Sequence, residues 1–162
     1  MDESTASQSG LAQILGQIPS GLYILTARHD GQETGMLASW IMQAGFSPPM
    51  VSVALRSDRY LAHWLAAGAP FVLNVLGENP KLLLRHFARG FEMGEPAFEN
   101  MPFDRCPRGV PVLRDTIGHL QCRPVSSSPS SEHTVFLAEI IGGNHLAGHA
   151  PFVHIRHNGM RY

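Results

Sequence analysis

The chain has 162 residues, enough for one domain that buries about 70% of the surface its unfolded form would expose. Its net charge of −1 leaves no general attraction to nucleic acid or to acidic lipid, and no run of about 20 apolar residues is present to span a bilayer. Cys106 and Cys122 form no Cys-x-x-Cys pattern, so they read as two reduced thiols.

Residues 1–10 (MDESTASQSG) are polar, with neither a basic start nor an apolar run, and read as a disordered tail of a cytoplasmic protein. Leu11, Ile14, Leu15 and Ile18 then mark one face of a short helix that Pro19-Ser20-Gly21 ends. Gly21–Arg28 and Glu33–Gln43 read as a hairpin joined through Asp30-Gly31. Met50–Leu55 is a third strand, and Asp58 is placed to cap a helix over Arg59–Ala67. Phe71–Leu76 is a fourth strand, and Asn79-Pro80 opens a helix to Ala88. Residues 89–113 lack periodicity and read as an ordered excursion. Strands at Ile117–Val125, Thr134–Gly142 and Phe152–His157 complete the chain, with a serine-rich loop over Ser126–Ser131. Short strands, local hairpins and short helices together predict a mainly β fold, an antiparallel closed or nearly closed barrel.

The stretch GMLASWIMQAGFSPPM, Gly35–Met50, is the most unusual. Strict alternation sets Met36, Ala38, Trp40 and Met42 on one face and Leu37, Ser39, Ile41 and Gln43 on the other. Small residues at Gly35, Ala38, Ser39, Ala44 and Gly45 suit either a flat ligand lying against the backbone or a bulge at Ala44-Gly45. Two basic clusters suit a phosphate: Arg56-Ser57-Asp58-Arg59 at a helix start, and Arg85 to Arg89 around Phe87, whose ring is placed to pack on a ligand. No dinucleotide fingerprint or Walker loop is present, and the nine histidines lack ligand spacing, so no metal site is expected.

IPSGLYILTA, GMLASWIMQAGFSPP, FVLNVL followed by RHF, EHTVFLAEI and FVHIRHNGMRY, in this order, resemble the flavin reductase-like proteins with an FMN-binding split barrel. The detail is most similar to the flavin reductase domain of cyanobacterial flavodiiron proteins. The resemblance implies an antiparallel split β-barrel over residues 11–162 with short flanking helices. It also implies a homodimer that binds FMN and draws electrons from NAD(P)H. Met36, Leu37, Ala38 and Ser39 would border the flavin ring, and Gln43, Ala44 and Gly45 would follow the ribityl chain. Arg56, Arg59, Phe87 and Arg89 would complete the pocket. Ser131-Glu132-His133 stands where two-component reductases carry Gly-Asp-His, making His133 the candidate nicotinamide contact. The alternative function is a flavoredoxin-like FMN electron carrier reduced by a redox partner protein.

Overall fold

The computed structural model describes residues 3–146 and 148–161. In chain order the elements are α1 (Glu3–Gly16), β1 (Tyr23–His29), β2 (Gln32–Ala38), β3 (Ile41–Phe46), β4 (Pro49–Arg56), α2 (Tyr60–Ala66) and β5 (Phe71–Val75). They continue with α3 (Lys81–Phe87), β6 (Phe103–Arg105), β7 (Pro111–Leu113), β8 (Gly118–Ser130) and β9 (His133–His145). Seven strands form one antiparallel sheet in the order β2-β1-β5-β8-β9-β4-β3, and β6 pairs with β7.

β1 and β2 meet through Asp30 (φ 48°) and Gly31 (φ 77°), the left-handed pair that matches hairpin twist. The single strand expected over Glu33–Gln43 is in fact two. The chain leaves one edge of the sheet at Ala38, turns at Ser39–Trp40, and re-enters at the opposite edge as β3. The corner is tied by Ile41 N–H to Ser39 C=O (3.0 Å) and Ala54 N–H to Trp40 C=O (3.0 Å). No ladder joins β2 to β3, so the sheet curls toward closure without completing it, a split barrel. The turn also breaks the alternation: Ala38 and Ile41 both belong to the interior cluster, whereas strict period two would oppose them. The bulge at Ala44-Gly45 is present as a register shift between Gln43 and Gly45.

Leu25, Val53, Phe71, Leu73 and Phe136 fill the interior, and α2 adds Leu61, Trp64 and Leu65 to the same cluster. The outer face of β2-β1-β5 is covered by α3 and the 89–113 excursion, through Ile24, Leu83, Phe87, Phe98 and Leu113. A polar clasp crosses this layer. Asn74 donates to Ile24 C=O (2.9 Å) and Thr26 Oγ1 (3.2 Å) and accepts from Leu113 N–H (2.8 Å), while the Thr26 hydroxyl donates to Pro111 C=O (2.6 Å). Cys122 is sealed inside, where burial pushes its thiol up to about 12, removing it as a nucleophile or ligand near neutral pH.

Several expectations are corrected. α1 begins at Glu3, inside the segment read as a disordered tail, and ends at Gly16. Its apolar stripe is mostly solvent-facing at Leu11, Ile14 and Ile18, because the helix docks through its small residues instead. Gly16 and Gly159 let α1 and the C-terminal segment touch backbone to backbone, with Gly159 N–H donating to Ala12 C=O (2.7 Å) and Arg156 N–H to Gly16 C=O (3.0 Å). Asp58 does not cap α2, since Arg56 takes its carboxylate through two hydrogen bonds, and α3 is entered from Pro80 without an Asn79 cap. The serine run is strand: Ser126, Ser127 and Ser128 pair with β9, and the reversal is left to Ser131 (φ 55°) and Glu132. Phe152–His157 forms no strand; Ser20–His154 is an isolated bridge.

Candidate functional site

Two clefts are lined by residues singled out above. The smaller, about 80 Å³, lies between Met36 and Leu37 of β2, Arg59 and Tyr60 at the start of α2, and Phe87 and Phe91. The larger, about 830 Å³, lies between Trp40, Ala54, Arg56 and His133 on the sheet side and Arg156 and Arg161 of the C-terminal segment. A cleft of that volume is in the range that takes a nucleotide-sized ligand, whereas the smaller one admits only a projecting group.

His133 is nearly buried, and its position is fixed from several sides. It is the ladder partner of Arg56, its Nδ1 lies 3.2 Å from a Glu132 carboxylate oxygen, and its ring centroid is 4.7 Å from that of Trp40. The Ser131 hydroxyl, with His133 as a smaller contributor, holds the Glu132 carboxyl below the usual carboxylate range. Glu132 therefore carries its negative charge at neutral pH. Ser57 binds the same turn to β4, N–H to Glu132 C=O (2.9 Å) and hydroxyl to Thr134 hydroxyl (2.8 Å). The Arg156 guanidinium lies over Trp40 at 5.3 Å from the ring centroid.

The sequence-derived residues divide among three places. Arg56 and His133 line the large cleft, and Arg56 spends its fork on Asp58, whose carboxyl this hydrogen bond draws below its ordinary range. Met36, Leu37, Arg59 and Phe87 line the small cleft. Ala38 and Ser39 are buried at the end of β2 and in the corner that follows it, and line neither cleft. Gln43, Ala44 and Gly45 lie on the edge strand β3 and line neither cleft. Arg89 pairs with Glu95 and covers Phe91 at 4.4 Å, again outside both linings.

Two of these placements have a packing reason. Phe87 is 1% exposed, held edge-on by Phe91 and His86, so its ring is a core element that borders the small cleft. The room left by Gly35 is filled by that ring, which would stand 2.7 Å from any Cβ there, so Gly35 serves helix packing and offers no bed for a flat ligand. Among the described residues Arg59 forms no ion pair, which sets it apart from Arg56 and Arg89.

Sequence reasoning assigned no role to Trp40 as a cleft wall, or to Arg156 and Arg161. The signal available was FVHIRHNGMRY, a basic and aromatic tail without strand alternation. Only its docking on α1 turns it into a wall of the cleft.

Comparison with known proteins bears on the family and the fold. The family model described as "Flavin reductase like domain" matches residues 15–161. Diflavin flavoprotein A 1 of Synechocystis sp. is 35% identical over 136 residues, which are 83% of this chain and 24% of that protein. Putative diflavin flavoprotein A 3 of Nostoc sp. is 35% identical over 154 residues, 94% of this chain and 27% of that protein. The chain thus spans about a quarter of the length of these relatives. The NADH:FAD oxidoreductase of Streptomyces globisporus, solved with NAD and FAD fragments, superposes with a TM-score of 0.81 at 22% identity, covering 99% of this chain and 93% of that one. The styrene monooxygenase flavin reductase of Pseudomonas putida S12 superposes at 0.74 with 24% identity and 93% coverage of both chains. With the split barrel, the paired clefts and a model match over nearly the whole chain, this protein belongs to the flavin reductase-like family.

Proposed function

We propose that the chain binds FMN and passes electrons from NAD(P)H through it to free flavin or another acceptor. The observation that carries this reading is the large cleft of about 830 Å³, lined by Trp40, Arg56, His133 and Arg156. It has the volume for an isoalloxazine and a nicotinamide together, with His133 in its lining, and the small cleft presents Arg59 to a phosphate. Bound FMN supplies the redox chemistry itself, accepting a hydride and releasing electrons singly or in pairs. The protein's part is positional. Trp40 and Glu132 fix the His133 ring, Arg59 would hold the phosphate of bound FMN, and the C-terminal segment walls the cleft in which a nicotinamide would meet the flavin.

A homodimer fits the uncovered half of the barrel. Met42 and Leu137 flank Ser52 on the outer face of β3-β4-β9 and are exposed, as is Val125 on β8. A second reading, an FMN electron carrier reduced by a partner protein, draws on the Ser131-Glu132-His133 turn. Its acid is tied to both neighbours, where a glycine-containing turn would leave a nicotinamide more room.

Anaerobic mixing of the purified yellow protein with NADH and NADPH separates the two. Bleaching of the flavin at catalytic rates by either nucleotide is the expected result, and bleaching by dithionite alone would select the carrier. His133→Ala should slow nicotinamide reduction about 10–100-fold while FMN affinity and dithionite reduction stay unchanged. Equal rates in variant and parent at subsaturating donor would remove His133 from the reaction.

A further inference from the structure

A polar row crosses three strands at one level of the sheet. Asn74 of β5, His119 of β8 and Asn144 of β9 are successive ladder partners, so their side chains leave the same outer face, and Gln121 joins them two positions along β8. Asn74 is spent on the clasp. The other three emerge beside β6 and β7 into a cleft of about 620 Å³ bordered by Pro107, Val112 and Leu146. Ser130, in the lining of the large cleft, lies nine residues from Gln121 along β8, which sets the two clefts roughly 25–30 Å apart.

Charge in this cleft is cancelled locally. Arg114 donates to Asp104 (2.9 Å from Nε) and Arg105 to Glu33 (2.7 Å), while burial lowers the His119 pKa and keeps the ring neutral near pH 7. Among the described residues the Gln121 and Asn144 amides and the His119 ring have no protein hydrogen-bond partner. His119 Nδ1 is also sealed from solvent. A sealed N–H is rarer in proteins than a sealed lone pair, so the proton is assigned to Nε2, which is not sealed and offers the cleft a donor. The Gln121 amide lies across Gly142, its Cδ, Nε2 and Oε1 all 3.3–3.4 Å from where a Cβ would stand, so the missing side chain leaves it room. Neither anion nor cation is favoured here, and carboxamides pair with base edges through two hydrogen bonds. We propose that this cleft is a ligand site separate from the large one, for an uncharged heterocycle whose lactam edge sets N–H beside C=O. The ring carbonyl accepts from His119 Nε2, and the rest of the edge pairs with the Gln121 and Asn144 amides. Riboflavin and pyrimidine nucleosides both carry that edge, and the site stands independently of the FMN and nicotinamide readings above.

Side-chain amide and imidazole NMR resonances of the purified protein, followed during titration with uridine, test this at the site itself. Uridine should shift Gln121, Asn144 and His119 saturably, with a Kd of about 1 mM or tighter, and leave the Trp40 indole and His133 unmoved. N3-methyluridine, which lacks the ring N–H, should bind about 5–10-fold more weakly, the scale of one hydrogen bond, and glucose should shift nothing. Gln121→Met and His119→Phe should each weaken uridine about 5–10-fold, and His119→Phe should leave the melting temperature unchanged or raised, because it removes an orphaned polar atom. Gly142→Ala keeps every hydrogen-bonding group but crowds the Gln121 amide, and should weaken uridine as well. Riboflavin displacing uridine at the same resonances would identify free flavin as the occupant, and uridine binding without riboflavin would select the nucleoside. No saturable shift at these three residues, equal affinity for N3-methyluridine, or equal shifts with glucose would overturn the proposal.

Discussion

Asn74→Ala should lower the melting temperature by about 6–20 °C. The substitution removes an amide that makes three hydrogen bonds, leaving the Leu113 N–H without its acceptor and Thr26 with one partner fewer, all inside a fully buried layer. Losing these bonds and stranding the Leu113 donor costs about 3–5 kcal/mol in total, and each kcal/mol moves the midpoint by about 2–4 °C in a chain of this size. The clasp is also the polar link that fastens β7 to β1 and β5. A differential scanning measurement showing a shift under about 3 °C would mean that solvent replaces the amide without penalty. Thr26→Val should be milder, because it cuts only the Pro111 bond and one Asn74 contact.

Arg59→Ala should weaken FMN about 10–100-fold and leave riboflavin almost untouched, following loss of a charge-assisted contact worth about 1.5–3 kcal/mol. The structure changes the grounds for this expectation. α2 is one short helix of seven residues, so its N-terminus adds little to phosphate binding, and the case rests on the guanidinium itself. Arg59 borders the small cleft, and among the described residues it forms no ion pair. Fluorescence-quenching titrations with FMN and riboflavin read the contrast directly, since a folding defect would weaken both ligands equally. Unchanged FMN affinity would move the phosphate to Arg56 or Arg89, each of which would first have to release its carboxylate partner.

The elements most legible in the sequence are those whose signals are local. Asp30-Gly31 announces its hairpin, FVLNVL its strand, and the Ala44-Gly45 bulge its irregularity, because turn chemistry and alternation act over a few residues. The corner at Ser39–Trp40 was not legible. Nothing in GMLASWIMQ breaks hydrogen bonding as proline would; the break exists because the two halves pair with opposite edges of the sheet, a tertiary requirement. The serine run was misread for a related reason. Exposed on both faces, it carries no alternation, and it is strand only because β9 offers it a ladder. For the site, the resemblance located His133 and Arg59 at clefts. It could not show that Arg89 is paired, that Phe87 is core, or that the C-terminal arginines form a wall, since each depends on which distant segment arrives beside it.

The strand order has a consequence for synthesis on the ribosome. The first two hairpins, β1–β2 and β3–β4, form from neighbouring residues, yet in the finished sheet they stand at opposite ends. The middle is filled by β5, β8 and β9, and the last of these ends only at His145. A nascent chain must therefore hold two hairpins apart, joined by the short Ser39–Trp40 hinge, with an open edge of β1 and of β4 exposed until most of the protein has emerged. The closing step is the arrival of the β8–β9 arm. The same arm carries His133 to Trp40 and sets Ser57 against Glu132. Completion of the sheet thus brings together the sheet side of the large cleft, and the opposite wall follows only when residues 156–161 dock on α1.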